Sequence, residues 1–337
     1  MATITSAQTG WWGDSATWVG GVVPDMSVDD AVVAGGHAVL IEPESYIVLV
    51  DGQNLTVENG GVLVVIGGLE VFYYGSLFLD GDLIIVSGGY VSLYYDGSAD
   101  INSGAVVTVD GSFDLYYYAY LNVYGDVVVD YDGYLSADYD GYIYVYGGML
   151  TVYGHLDLYD YGYMDLDGGT VTIESGGIAN IGGYVNCYYY GSIYVYGELT
   201  VTSSGYIETV YSSEITCESS GVLTVDGYLL VADDGSCRVY GPMTFSRYAG
   251  FDAYYYGYIE VNSGSVVDDF GYLYIHYDAF MYVGGEIRVY KDIYISGQMY
   301  GGGKILMLRR EGQIRDGDGN SLFKLDQAYG HGQQQIA

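Results

Sequence analysis

A turn glycine recurs at a fixed interval along most of the chain, and that period restricts the fold more than any other feature. Short strings of the form apolar-x-apolar followed by a Gly turn include LTVENGG (55–61), LEVFYYG (69–75), LTVYG (150–154), IYVYG (193–197) and IEVNSG (259–264). Every third turn falls in step, through Gly75, Gly97, Ala119, Gly141, Gly162, Gly183, Gly205 and Gly227. Two further series, starting at Gly67 and Gly81, advance by nearly the same interval. A period of this size marks a repeat architecture in which each unit buries its apolar face against the next. The simplest geometry is a coil of about 22 residues with three strands and three turns. A two-strand coil of about 14 residues competes, because short units also recur at that distance.

Alternation supplies the inside and the outside, since successive strand side chains point to opposite faces. In Ile193-Tyr194-Val195-Tyr196 the aliphatics face in and the tyrosines out, and Leu121-Asn122-Val123-Tyr124 and Ile143-Tyr144-Val145-Tyr146 read the same way. The expected fold is therefore an all-β parallel β-helix (β-solenoid) of roughly 12 coils. Residues 1–40 read as an N-terminal cap, 41–303 as the solenoid, and 304–337 as a C-terminal cap or assembly segment. Such ends cover the apolar cross-section and the unpaired strand edges.

Composition narrows the function. The chain holds 53 Gly, 44 Tyr and only 3 Pro, and 50% of it is hydrophobic, so disordered and collagen-like readings lose their support. All nine basic residues lie at or after Arg238, against 43 acids and a net charge of −34. Nothing before Arg238 can replace phosphate counterions, so nucleic acid is not an expected partner. The start MATITSAQTGWWG shows no cleavable signal peptide, and no apolar run is long enough for membrane insertion. The expected location is extracellular, on a cell surface or on a virion.

Thr9-Gly10-Trp11-Trp12-Gly13-Asp14-Ser15-Ala16-Thr17-Trp18, followed by Asp29-Asp30-Ala31-Val32-Val33 and Gly36-His37-Ala38-Val39, resembles a Trp-rich N-terminal cap. Caps of this kind belong to right-handed parallel β-helix proteins of bacteriophage virions and bacterial surfaces. The resemblance implies right-handed winding, a capping role for Trp11, Trp12 and Trp18, and an exposed structural or adhesive role. The tyrosine content and the absence of any basic residue before Arg238 depart from that family's usual surface chemistry.

The tyrosine clusters carry the most functional information. They are Tyr73-Tyr74, Tyr94-Tyr95, Tyr116-Tyr117-Tyr118, Tyr188-Tyr189-Tyr190 and Tyr254-Tyr255-Tyr256. The first three precede equivalent turns, so their rings are expected to form a ladder along one edge. Three roles compete for it: cross-strand packing, a lateral contact for copies of the same protein, and a platform for sugar rings. Arg309, Arg310 and Arg315 are candidate docking residues, because the C-terminal segment alone escapes the repulsion of the acidic body. Asp110 and Asp132 read as equivalent turn residues on neighbouring coils and form the best pair for a bridging ion. No cofactor is required; Ca²⁺ or other cations serve as surface counterions. Paired acids such as Asp138 with Asp140 can in principle hydrolyse glycosides, but no pair stands out, and most are turn residues. Asp316-Gly317-Asp318-Gly319-Asn320 only begins like an EF-hand loop. Cys217 and Cys237 read as a buried thiol pair.

The primary expectation is a non-enzymatic structural solenoid that self-associates into an extracellular filament or a virion fibre or decoration. The alternative is a carbohydrate-binding adhesin or tailspike that meets host-surface glycans, with possible glycosidase activity.

Overall fold

The computed structural model describes residues 2–159, 161–269, 271–307, 314–316 and 332–335. Strands dominate; the helical elements among these residues are two short 3₁₀ turns, Ser15–Thr17 and Val19–Gly21. The strands form three parallel sheets in a β-solenoid of about 13 coils with about 22 residues each, which settles the coil length in favour of three strands. The chain divides into two compact units, Met1–Asp165 with Gly169–Val171, and Leu166–Gly168 with Thr172–Ala337.

In the first unit, sheet I runs through Thr3–Thr5, Asp30–Val33, Asn54–Val57, Ser76–Leu79, Ser98–Ile101, Tyr120–Val123 and Tyr142–Tyr146. Sheet II includes Ala38–Ile41, Val62–Val65, Asp82–Ile85, Val106–Val109 and Asp126–Val129, and sheet III includes Gly68–Phe72, Tyr90–Tyr94, Ser112–Tyr116 and Tyr134–Asp138. The second unit repeats the plan. Its sheet I includes Tyr206–Thr209, Tyr228–Val231 and Gly250–Ala253, sheet II Glu214–Cys217 and Ser236–Val239, and sheet III Val222–Val225 and Val266–Asp269. Parallel pairing begins at Thr3–Thr5 against Asp30–Val33, inside the segment read as a cap, and continues past residue 303 in Lys304–Met307. Gly332–Gln335 then pairs antiparallel with Lys304–Met307 and lies along that edge.

The interior follows the alternation. Ile193 and Val195 are buried, Tyr194 is half-buried and Tyr196 exposed. Leu77, Ala99, Leu121 and Ile143 pair in register as one inward column, all fully buried. Each aliphatic column removes apolar area from water at roughly 25 cal/mol per Å², the main driving term for a fold built from strands.

The corners are of three kinds. One, present on most coils, is a turn whose two central residues are both left-handed, as at Tyr95 (φ 46°) and Asp96 (φ 63°), closed by Gly97 N–H donating to Tyr94 O at 3.0 Å. The other two corners alternate between a long form and a short form, out of phase with each other. The coil from Ser76 has a short corner at 80–81 and a long corner at 86–89; the coil from Ser98 has the long corner first, at 102–105, and the short one at 110–111. Both coils therefore keep the same length. In short corners two successive amides donate to one carbonyl, as Asp110 and Gly111 do to Ile85 O, at 2.8 and 3.2 Å.

Candidate functional site

The doubly left-handed corner carries the tyrosines. In the first unit it joins sheet III to sheet I, and it places Tyr73, Tyr95, Tyr117 and Tyr139 one above another with centroids 5.3, 5.0 and 5.4 Å apart and planes within 13°. Beside them Phe72, Tyr94 and Tyr116 stack at 4.7 and 5.1 Å. Left-handed backbone costs a non-glycine residue roughly 1–2 kcal/mol. Two effects offset it here. Stacking contributes about 0.5–1.5 kcal/mol per pair. The left-handed peptides also turn their amides along the axis: Tyr117 and Tyr118 N–H donate to Tyr139 and Asp140 O on the following coil, at 3.0 and 2.9 Å, whereas Tyr120 N–H donates back to Gly97 O. The interstrand ladder thus continues around the bend.

In the second unit the same corner joins sheet I to sheet II. Tyr189 stacks on Tyr211 at 5.4 Å, and the row is then broken by Asp233; Tyr254 stacks on His276 at 3.7 Å. The clusters at 188–190 and 254–256 therefore occupy a different corner from the clusters at 73–74, 94–95 and 116–118. Tyr190, Tyr255 and Tyr256 are well exposed, and Tyr188 packs edge-on against Tyr189 at 5.3 Å. The glycine series already carry this shift, since Gly75, Gly97 and Ala119 belong to one series whereas Gly191 and Gly257 fall in the series that starts at Gly81.

Sequence reasoning also missed the hydroxyl–carboxylate pairs on the sheet faces. Tyr90 OH donates to Glu70 Oε1 at 3.0 Å, Tyr159 to Asp157 Oδ2 at 2.8 Å and Tyr194 to Glu214 Oε1 at 2.6 Å. Burial and the adjacent Glu70 push Tyr90 up to about 12, and burial does the same for Tyr116. These phenols stay neutral donors at physiological pH. Two glycines make room for such pairs. A Cβ on Gly68 would lie 2.3 Å from Tyr90 Cζ, and one on Gly250 would lie 2.6 Å from the Tyr228 ring, whose hydroxyl reaches Asp252. Asp252 Oδ1 in turn faces His276 Nε2 at 3.7 Å.

The remaining expected residues are placed as follows. Trp12 and Trp18 are buried and meet edge-on at 4.8 Å, with Trp18 Nε1 donating to Trp12 O at 2.8 Å, while Trp11 is exposed. Asp110 and Asp132 lie in the same corner, between sheets II and III, on neighbouring coils, and each precedes the corner's last glycine, since Ser112 pairs with Tyr134; they differ on the side of sheet II. Val109 pairs with Val129, so Asp110 aligns with Asp130; Asp110 starts a short corner and Asp132 is third in a long one. The corner alternation, invisible to glycine spacing, causes the discrepancy. Asp110 Oδ2 instead accepts from Ser87 N–H at 3.2 Å. Among the described residues no three His, Cys, Asp or Glu side chains converge as a metal site. Arg315 pairs with Asp292 of its own chain at 2.9 Å; Arg309 and Arg310 lie outside the described residues. Cys217 and Cys237 are buried free thiols set diagonally, since Ile215 pairs with Cys237 and Cys217 with Val239. Burial pushes the Cys217 thiol up to about 11.

Among the described residues no helix is long and apolar enough to cross a membrane. No protein-family model and no curated protein matches the sequence. Among solved structures the chain is similar to a TibC-catalysed, hyper-glycosylated TibA fragment: the match covers 95% of this chain and 99% of that one, at 17% identity and a TM-score of 0.52. At that identity the similarity shows the fold alone, a parallel β-solenoid over nearly the whole chain.

Proposed function

We propose that this chain is a non-enzymatic structural solenoid whose tyrosine rows are contact surfaces for further copies of itself, displayed on a cell surface or a virion. The face-to-face stacking of Tyr73, Tyr95, Tyr117 and Tyr139 carries this reading. A sugar packs on the face of an aromatic ring, and within a stacked row each face is already covered by the next ring. What the row offers outward is ring edges and hydroxyls repeating at the strand spacing of about 4.8 Å. A partner that meets every rung needs the same axial repeat, which another solenoid has. Cations act in this reading as counterions between acidic copies, not as site-bound cofactors.

Sedimentation and electron microscopy of the purified protein test this. Dimers or filaments are expected at micromolar concentration, and monomers throughout would overturn the proposal. A second reading, a glycan-binding surface, draws on the unstacked and exposed rings of Tyr74 and Tyr190. Binding on a glycan array by a protein that stays monomeric would favour it.

A further inference from the structure

In the first unit, the second left-handed place of the corner between sheets III and I reads Tyr74, Asp96, Tyr118, Asp140 and Tyr161 on five successive coils. Their φ angles are 66°, 63°, 66°, 62° and 69°, so one backbone conformation projects all five side chains from the same ridge. The stacked tyrosines stand one place earlier in the chain. At the second place Tyr74, Tyr118 and Tyr161 are 71%, 56% and 69% exposed, and among the described residues no ring stacks on them. Neither Asp96 nor Asp140 accepts a side-chain hydrogen bond within the described chain.

The ridge thus alternates a long donor with a short acceptor. A tyrosine reaches well beyond an aspartate, so each hydroxyl overshoots the carboxylates of its own ridge. It leaves a notch over each aspartate about two coils wide between protruding rings, a span of about 9.6 Å. The order Tyr, Asp, Tyr, Asp is self-complementary when reversed: turned end for end, it sets every tyrosine against an aspartate.

Resting on the self-association reading, we propose that this ridge is the seam of a twofold dimer. A second copy lies antiparallel, with Tyr74 opposite Asp140, Asp96 opposite Tyr118, and the two reciprocal pairs completing the contact. Four rings enter four notches, and each hydroxyl donates to a carboxylate of the other copy, a charge-assisted bond. A twofold contact is closed and uses the same patch on both copies. Placing like residues opposite each other sets carboxylate against carboxylate and forfeits every bond. In the second unit the same place reads Tyr190, Ser212, Asp234, Tyr256 and Asp278, which lacks the alternation.

Asp96→Gly with Asp140→Gly tests the seam, because glycine suits the left-handed place and the corner keeps its shape. Loss of acceptors for charged hydrogen bonds predicts a dimer dissociation constant raised at least about 100-fold in sedimentation equilibrium. Tyr74→Phe with Tyr118→Phe, which keeps the rings and removes the donors, is expected to weaken the dimer at least about tenfold. The control Asp234→Gly with Asp278→Gly should leave it within about threefold, since those residues lie off the seam. If wild type associates but either ridge variant dimerises as well as wild type, the seam is wrong and self-association stands. A wild type that never associates overturns both.

Discussion

At the scale of the residue, the informative groups are those that break the local rule. Asp269 is one: it faces inward between Phe245 and Val289, where its neighbours on adjacent coils are apolar. Gly271 N–H donates to its Oδ1 at 2.9 Å, and among the described residues the buried Oδ2 has no hydrogen-bond partner. Burial raises this carboxyl from 3.8 to about 6, against the weaker pull of Lys291. The folded state then holds a proton that the unfolded chain has already released. Below pH about 4 both states are protonated and the group is neutral in its effect. Between pH about 4 and 6 the folded protein loses stability as pH rises, by an amount on the order of 3 kcal/mol in all, and the loss is complete above 6. Asp269→Asn keeps the acceptor for Gly271 and removes the charge. Its denaturation midpoint should exceed wild type at pH 7.5 and match it at pH 4; an equal gain at both would show that charge is not the cause.

At the scale of the element, the alternating corners decide where a side chain fits. The short corners at 80–81, 110–111, 124–125, 153–154, 196–197 and 226–227 all end in glycine. A Cβ on Gly111 would lie 2.1 Å from Gly89 O and 2.6 Å from Val86 O, two carbonyls of the long corner on the preceding coil. The last place of a long corner is also tight, with Val109 O 2.0 Å from a Cβ on Gly133, yet Ala105 and Ala249 occupy that place on other coils. Long corners therefore give way and short ones do not. Gly111→Ala should destabilise by about 2 kcal/mol through overpacking, and Gly133→Ala by well under half of that, in thermal denaturation monitored by circular dichroism. Equal losses would mean that the two corner types resist strain alike.

At the scale of the whole molecule, charge and association oppose each other. Two copies at −34 each repel over a Debye length of about 10 Å at 0.1 M salt. A seam of neutral hydroxyls against carboxylates brings those surfaces close, so screening should help it form. Raising sodium chloride from about 20 mM to about 500 mM should strengthen the dimer, the reverse of what a contact between opposite charges does. Light scattering at fixed protein concentration reads this directly, and dissociation on adding salt would exclude contact between like-charged copies. The ion pair of Arg315 with Asp292 also means that this arginine is satisfied within its own chain.

The sequence by itself determined the coil. The regular glycine period and the alternation of residue type along each strand suffice to give a solenoid with an aliphatic centre and tyrosines outside, because steric period and burial are both written in residue type; three strands per turn was its simplest form, and the three sheets settled it against two. It also determined that the tyrosines at 73–74, 94–95 and 116–118 share one edge. Only the tertiary structure decided that corners alternate in length, so that Asp110 matches Asp130 on the side of sheet II and Asp132 on the side of sheet III. It also decided that stacked rings hide their faces. The reason is physical: corner length and ring orientation are set by the coil above and below, a full turn of chain away, and a local pattern does not contain its neighbour's carbonyls.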